Sequence, residues 1–229
     1  MVHLPSIYDL WSGSVPVVVQ SLAVAVLLVL VLAALVRLGL RDDDGIIPSE
    51  RLTLRNVLEI LLGGLGTLGR DVMGPDWSRY MPVVGTLGFF ILVSNLMGLV
   101  PGLGGPTSFI EINLGWALIA FLVSEAVGFK QHGLGYFKHF NPGPWWIAIL
   151  LVPVELFSHL VRIVSLTIRL TANMFADHTL VGIFLSFPVI QLFVPWAIMG
   201  LGLFVAFVQA FIFTFLTMIY IGLALEEAH

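Results

Sequence analysis

Between Pro153 and His178 the chain reads PVELFSHLVRIVSLTIRLTANMFADH, an apolar run that nevertheless carries Glu155, His159, Arg162, Arg169, Asn173 and Asp177. Wound as an α-helix, those six side chains fall within about 40° of one line, because the separations are close to whole numbers of turns. From Glu155 to Asn173 the stripe covers ~27 Å, close to the thickness of a bilayer's hydrocarbon core. Carboxylates and imidazoles strung over that depth can pass protons; an arginine cannot, because its guanidinium stays protonated at any relevant pH. Burying a charge there costs between about 2.5 and more than 10 kcal/mol, so Arg169 needs a reason to be present. It can hold a nearby carboxylate in its ionised form. A fixed positive charge between two sets of titratable groups is then a barrier with a partner. The plainer reading has Arg162 or Arg169 pairing with Glu155 or Asp177 to join helices, or snorkelling to the surface. His178 lies nine residues beyond Arg169, ~14 Å along the axis. Imidazole changes charge near neutral pH, which suits a relay, although an interfacial histidine touching headgroups is the alternative.

Such a stripe needs elements that cross a membrane, and composition supplies them. Hydrophobic residues make up 59% of the 229 and charged residues 10%, with a mean hydropathy of +1.03. An ordinary soluble domain has roughly 25% charged residues, so this is an all-α polytopic membrane protein, read as a single membrane domain over residues 1–229. The net charge of −4 says little about partners, and the absence of cysteine excludes disulfides and thiolate metal sites. The N-terminus lacks a basic region and does not read as a cleaved signal. Spans are expected at 15–38, 81–100 and 112–130, the last with Glu125 near its far end, then a long helix at 145–186 and another at 189–225. Over 49–70, Leu54, Val57, Leu58, Leu61, Leu62, Leu65 and Leu68 oppose Glu50, Arg51, Arg55, Asn56 and Glu59, the pattern of an interfacial amphipathic helix. Gly63, Gly64, Gly66 and Gly69 weaken its second half. From Val189 the final helix is ~55 Å long where a bilayer needs about 20 residues, so it must tilt strongly or break. The expectation is five crossings plus one interfacial helix, the last two long helices forming a tilted hairpin.

Of the ten Lys and Arg residues, all but Arg162 and Arg169 fall on one side of that five-span arrangement. The positive-inside rule makes that side cytoplasmic, with the N-terminus outside and the C-terminus inside. On the final helix Gly202, Gln209 and Tyr220 lie within about 20° of one line. Gln209 is an amide among apolar neighbours and needs partners, whether as helix–helix glue or as part of a polar path. Ser94 and Asn95 interrupt the second span and could line a polar cavity with the final helix, or simply pack. Glu155 and His159 have the i, i+4 spacing of metal ligands, but His-Glu-x-x-His is absent, as is the Gly-x-x-x-x-Gly-Lys phosphate loop. No metal, cofactor or nucleic-acid site is expected.

RLTANMFADH, with Glu155 fourteen residues before its arginine and FVQAFIFTFLTMIYIGLALEEAH at the C-terminus, strongly resembles subunit a of the F-type ATP synthases. The resemblance runs from about Trp77 to the end, and more loosely to the first helix. It implies a subunit with no enzymatic activity of its own, in the inner membrane of a bacterium. Its implied partners are a ring of c subunits, the peripheral-stalk b subunits and, indirectly, the F1 sector. Arg169 matches the family's essential arginine, Glu155 the acid of the inner half-channel, and Asn173 and Gln209 polar partners near the arginine. Two positions depart: His178 stands where several bacterial members have Glu, and Gly202 where they have His. The outer titratable group is therefore expected to have changed helix, with Gly202 leaving space for the His178 imidazole or for water and Asp177 a further candidate. The competing class is a stand-alone secondary transporter or channel with the stripe as its binding site.

Overall fold

The structure, a computed structural model, describes residues 16–39, 54–100, 103–133, 145–185 and 194–226. It is helical throughout these stretches: α1 (Val17–Gly39), α2 (Leu54–Met73), α3 (Trp77–Leu99), α4 (Ile110–His132), α5 (Trp145–Leu185) and α6 (Val194–Glu226), with short 3₁₀ turns at Gly74–Asp76 and Pro106–Ser108. Among the described residues, four stretches are long and apolar enough to cross a membrane: Val17–Ala34, Leu62–Leu99, Ile110–His132 and Val194–Glu226. α5, which carries Arg162, Arg169, Asn173, Asp177 and His178, is not one of these stretches.

Helices occupy the stretches where they were expected, with shifted ends. α6 begins at Val194, placing Pro195 in the first turn, where its missing N–H costs no helical hydrogen bond. The part expected at 189–193 lies outside the described residues, as do 49–53 of the amphipathic helix. That helix stays helical through its four glycines, as expected to residue 70, then runs on to Met73 and continues via the turn at Gly74 into α3. Packing offsets the weak propensity. Leu65, Leu68 and Val72 join Met73, Val84, Val127, Met218 and Ile221 in one apolar cluster. Gly66 lies against the Trp77 ring, and Arg70 sits 5.4 Å from the centroid of that indole. The corner itself needs Gly74, whose φ of 70° is a left-handed value that side chains avoid.

α3, α4, α5 and α6 pack around a central apolar layer of Ile91, Ala117, Ala120, Leu166, Leu170, Ala210 and Phe213. α1 is attached to one edge, Ala25 packing with Phe90, Val93 and Met97 of α3. At the end of the bundle where α3 stops and α4 starts, the Pro106–Ser108 turn is tucked inward, with Pro106 and Thr107 buried.

Candidate functional site

The polar stripe of α5 is met by α6, antiparallel to it, rung by rung. Asp177 faces Gly202: a Cβ at that glycine would lie 3.2 Å from Asp177 Oδ2 and 2.7 Å from Leu99 Cδ2. One turn along, Asn173 Nδ2 donates to Gln209 Oε1 at 2.9 Å. Further along, the Arg162 guanidinium stacks on Tyr220, Cζ 3.8 Å from the ring centroid. The line of Gly202, Gln209 and Tyr220 read from the sequence is thus the matching edge of the hairpin. Continuing the same register sets Arg169 level with Phe213, which is 1% exposed and belongs to the apolar layer. Arg169 is half-buried, and among the described residues it forms no hydrogen bond or ion pair. Its counterpart on α6 is thus an apolar rung.

Two polar groups of residues lie on either side of that layer. On one side a cleft between α3, α5 and α6 is lined by Asn95, Asn173, Asp177 and Gln209 with Leu99 and Met174. Asn95, 3% exposed, donates from Nδ2 to the Ala206 carbonyl at 3.3 Å and so holds α3 to α6 at its rim. On the other side Glu125 of α4 and His159 of α5 approach to 3.3 Å, Oε1 to Nδ1, near the Arg162–Tyr220 stack. Glu155 is on α5 one turn before His159; its side chain lies outside the described set.

His178 does not enter the cleft. Its Nε2 lies 2.8 Å from the Gly98 carbonyl oxygen, which can only accept, so the ring donates there. Consecutive helical residues point about 100° apart, and it is Asp177 that the α6 glycine accommodates. The expectation that Gly202 clears space for the imidazole is corrected accordingly: the space serves the carboxylate. For Ser94 the packing alternative is the one observed. It is fully buried under the turn that follows α3, Gly105 lying against its carbonyl, and Ser94 does not line the cleft.

Sequence reading missed a polar link at the cleft end of the bundle. Asn113 of α4 is fully buried and donates to the Thr107 carbonyl and to Thr171 Oγ1, both at 2.8 Å. Thr171 in turn donates to the Thr167 carbonyl at 2.9 Å. The signal was available: an asparagine inside an apolar span needs partners, as Gln209 does.

Comparison with known proteins decides the family. Residues 20–222 match the family model for the ATP synthase A chain. The chain belongs to that family. It is similar to ATP synthase subunit a 1 of Syntrophotalea carbinolica, 46% identical over 176 residues, 77% of this chain and 74% of that protein. To ATP synthase subunit a of Trichlorobacter lovleyi it is 40% identical over 227 residues, covering 99% and 93% of the two chains. The ATP synthase subunit a of Geobacter sulfurreducens is 40% identical over 176 residues, 77% of this chain and 76% of its own. Membership fits the long apolar helices and makes this a multi-pass membrane protein of an ATP synthase.

Proposed function

We propose that this chain is the stator subunit of a rotary ATP synthase, with α5 as a fifth crossing and two half-channels ending on either side of Arg169. The observation that carries the reading is Arg169 itself: unpartnered among the described residues, level with an apolar layer, with a polar cluster on each side. The layer gives protons no hydrated route through the bundle, and the arginine cannot relay one. A proton reaching this level must therefore leave the chain for a group on a partner. Next to Arg169 the outer surface of α5 supports such a partner. Ser165, Ala172 and Ala176 are exposed and small, and beyond them Val164, Ile168 and Phe175 are exposed and apolar. A ring of c subunits, each with one carboxylate, fits that surface.

In this reading a proton enters through the cleft of Asn95, Asn173, Asp177 and Gln209, neutralises a ring carboxylate and frees it to turn into the lipid. After nearly a full revolution the carboxylate meets Arg169 from the other side, re-ionises in its field and releases its proton to the Glu155 side. Asp177, in the cleft, is the outer exchanging group, and His178 anchors the outer end of α5 to α3. The Lys130 end of α4 is cytoplasmic, following the basic residues, so the cleft opens outside. The remaining partners are the b subunits of the peripheral stalk, F1 through them, and the lipid of a bacterial inner membrane. The test is Arg169→Ala and Arg169→Lys in the reconstituted complex: assembly intact, with ATP synthesis and ATP-driven pumping abolished. Near-normal coupling in Arg169→Ala, or ion transport by the purified chain without a ring, would favour a stand-alone transporter and refute the proposal.

A further inference from the structure

An acid–imidazole couple sits across the apolar layer from the cleft. His159 of α5 and Glu125 of α4 are 12% and 17% exposed, with Nδ1 and Oε1 3.3 Å apart. Phe121, one turn before Glu125, sets its ring edge-on to the imidazole at 5.3 Å between centroids. Arg162 is an i+3 neighbour of His159, but its guanidinium is drawn onto Tyr220 of α6 rather than onto the Glu125 carboxylate. Glu155 precedes His159 by one turn on α5. His159 lies ten residues before Arg169, ~15 Å along the helix.

A mere tie between α4 and α5 does not call for these residues. Removing two titratable groups from water is costly, and an apolar pair of similar volume holds helices together as well or better. What an acid–imidazole couple adds is the ability to take up and release a proton while remaining paired. We propose that His159 and Glu125 are the proton-exchange pair of the inner path, an assignment that rests on the stator reading above. A proton released by a ring carboxylate passes through water to the imidazole, and the imidazolium is held by the Glu125 carboxylate. It then leaves to bulk water at the Lys130 end of α4, and both groups return to their starting forms.

The experiment uses the complete reconstituted complex with His159→Gln, Glu125→Gln and the exchanged pair His159→Glu/Glu125→His, rates being normalised to assembled complex. Proton pumping and ATP synthesis are measured over inner pH of roughly 6 to 8, where imidazole changes charge, and separately over outer pH. Each single variant is expected to lose about a hundredfold in rate, as for a positioned proton-transfer group. Its response to inner pH should flatten while its response to outer pH keeps its shape, and the exchanged pair should recover part of the rate. Wild-type rates in both singles, or reduced rates with an unchanged inner-pH profile, would overturn the proposal and leave a structural tie. Arg169→Ala is run in parallel: if it still pumps, the stator reading fails; if it is inactive while both singles are normal, this inference alone fails.

Discussion

Gly202 offers a quantitative test of the outer site. A Cβ there would stand 3.2 Å from Asp177 Oδ2 and 2.7 Å from Leu99 Cδ2. In Gly202→Ala the Leu99 methyl, the free end of a flexible side chain, must swing aside, while the carboxylate needs to give by only a few tenths of an ångström, roughly the tolerance of ordinary packing. Gly202→Leu adds three further carbons and cannot be accommodated with the carboxylate in place. Overpacking of this kind costs about 1–3 kcal/mol. If the displaced group is Asp177, that energy falls on proton entry, and the rate drops by about 5- to 150-fold at roughly 1.4 kcal/mol per decade. ATP synthesis at fixed proton-motive force is the assay, with His178→Ala as the comparison. Ala at 202 is expected near wild type, Leu strongly slowed, and His178→Ala assembled with its outer-pH profile unchanged. A Gly202→Leu complex at full rate, or a larger loss and altered outer-pH profile in His178→Ala, would refute Asp177 as the outer exchanging group.

Asn173→Leu and Gln209→Leu each leave the other amide without its partner, and each is expected to cost about 1–3 kcal/mol of stability. The double variant should lose less than the sum, by a coupling of ~0.5–3 kcal/mol, in thermal unfolding of the complex; strict additivity would mean the amides are not bonded. Single cysteines at Gly133 and Ala228, placed in this cysteine-free chain, should both react with an impermeant thiol reagent from the cytoplasmic side. Labelling from opposite sides would overturn the five-crossing arrangement.

Much of this arrangement was legible before any coordinates. Helical periodicity put Glu155, His159, Arg162, Arg169, Asn173 and Asp177 on one stripe and Gly202, Gln209 and Tyr220 on another, and α5 and α6 bring the two edges together. Periodicity fixes a direction around one helix but not the rotation of a neighbouring helix about its own axis. That is why Gly202 was assigned to His178 when its actual neighbour is Asp177, one residue and about 100° away. Ser94 and Asn95 illustrate the same limit: adjacent in sequence, one sits beneath a turn and the other at the cleft. The second half of α2 was read as helical but weak, and its support was not legible. Propensity counts the glycines against a helix, but not the apolar surface that α3 and α6 present to Leu65, Leu68 and Val72.

The central claim is that the apolar layer and Arg169 together block any direct proton route between the two polar clusters. Proton conductance across the reconstituted complex with rotation locked by a covalent link between ring and stator tests it most directly. The locked wild-type complex should hold a proton gradient, and locked Arg169→Ala should dissipate it by exchange through the ring carboxylate facing the vacated site. A locked Arg169→Ala complex as tight as wild type, or a locked wild-type complex that leaks, would contradict it.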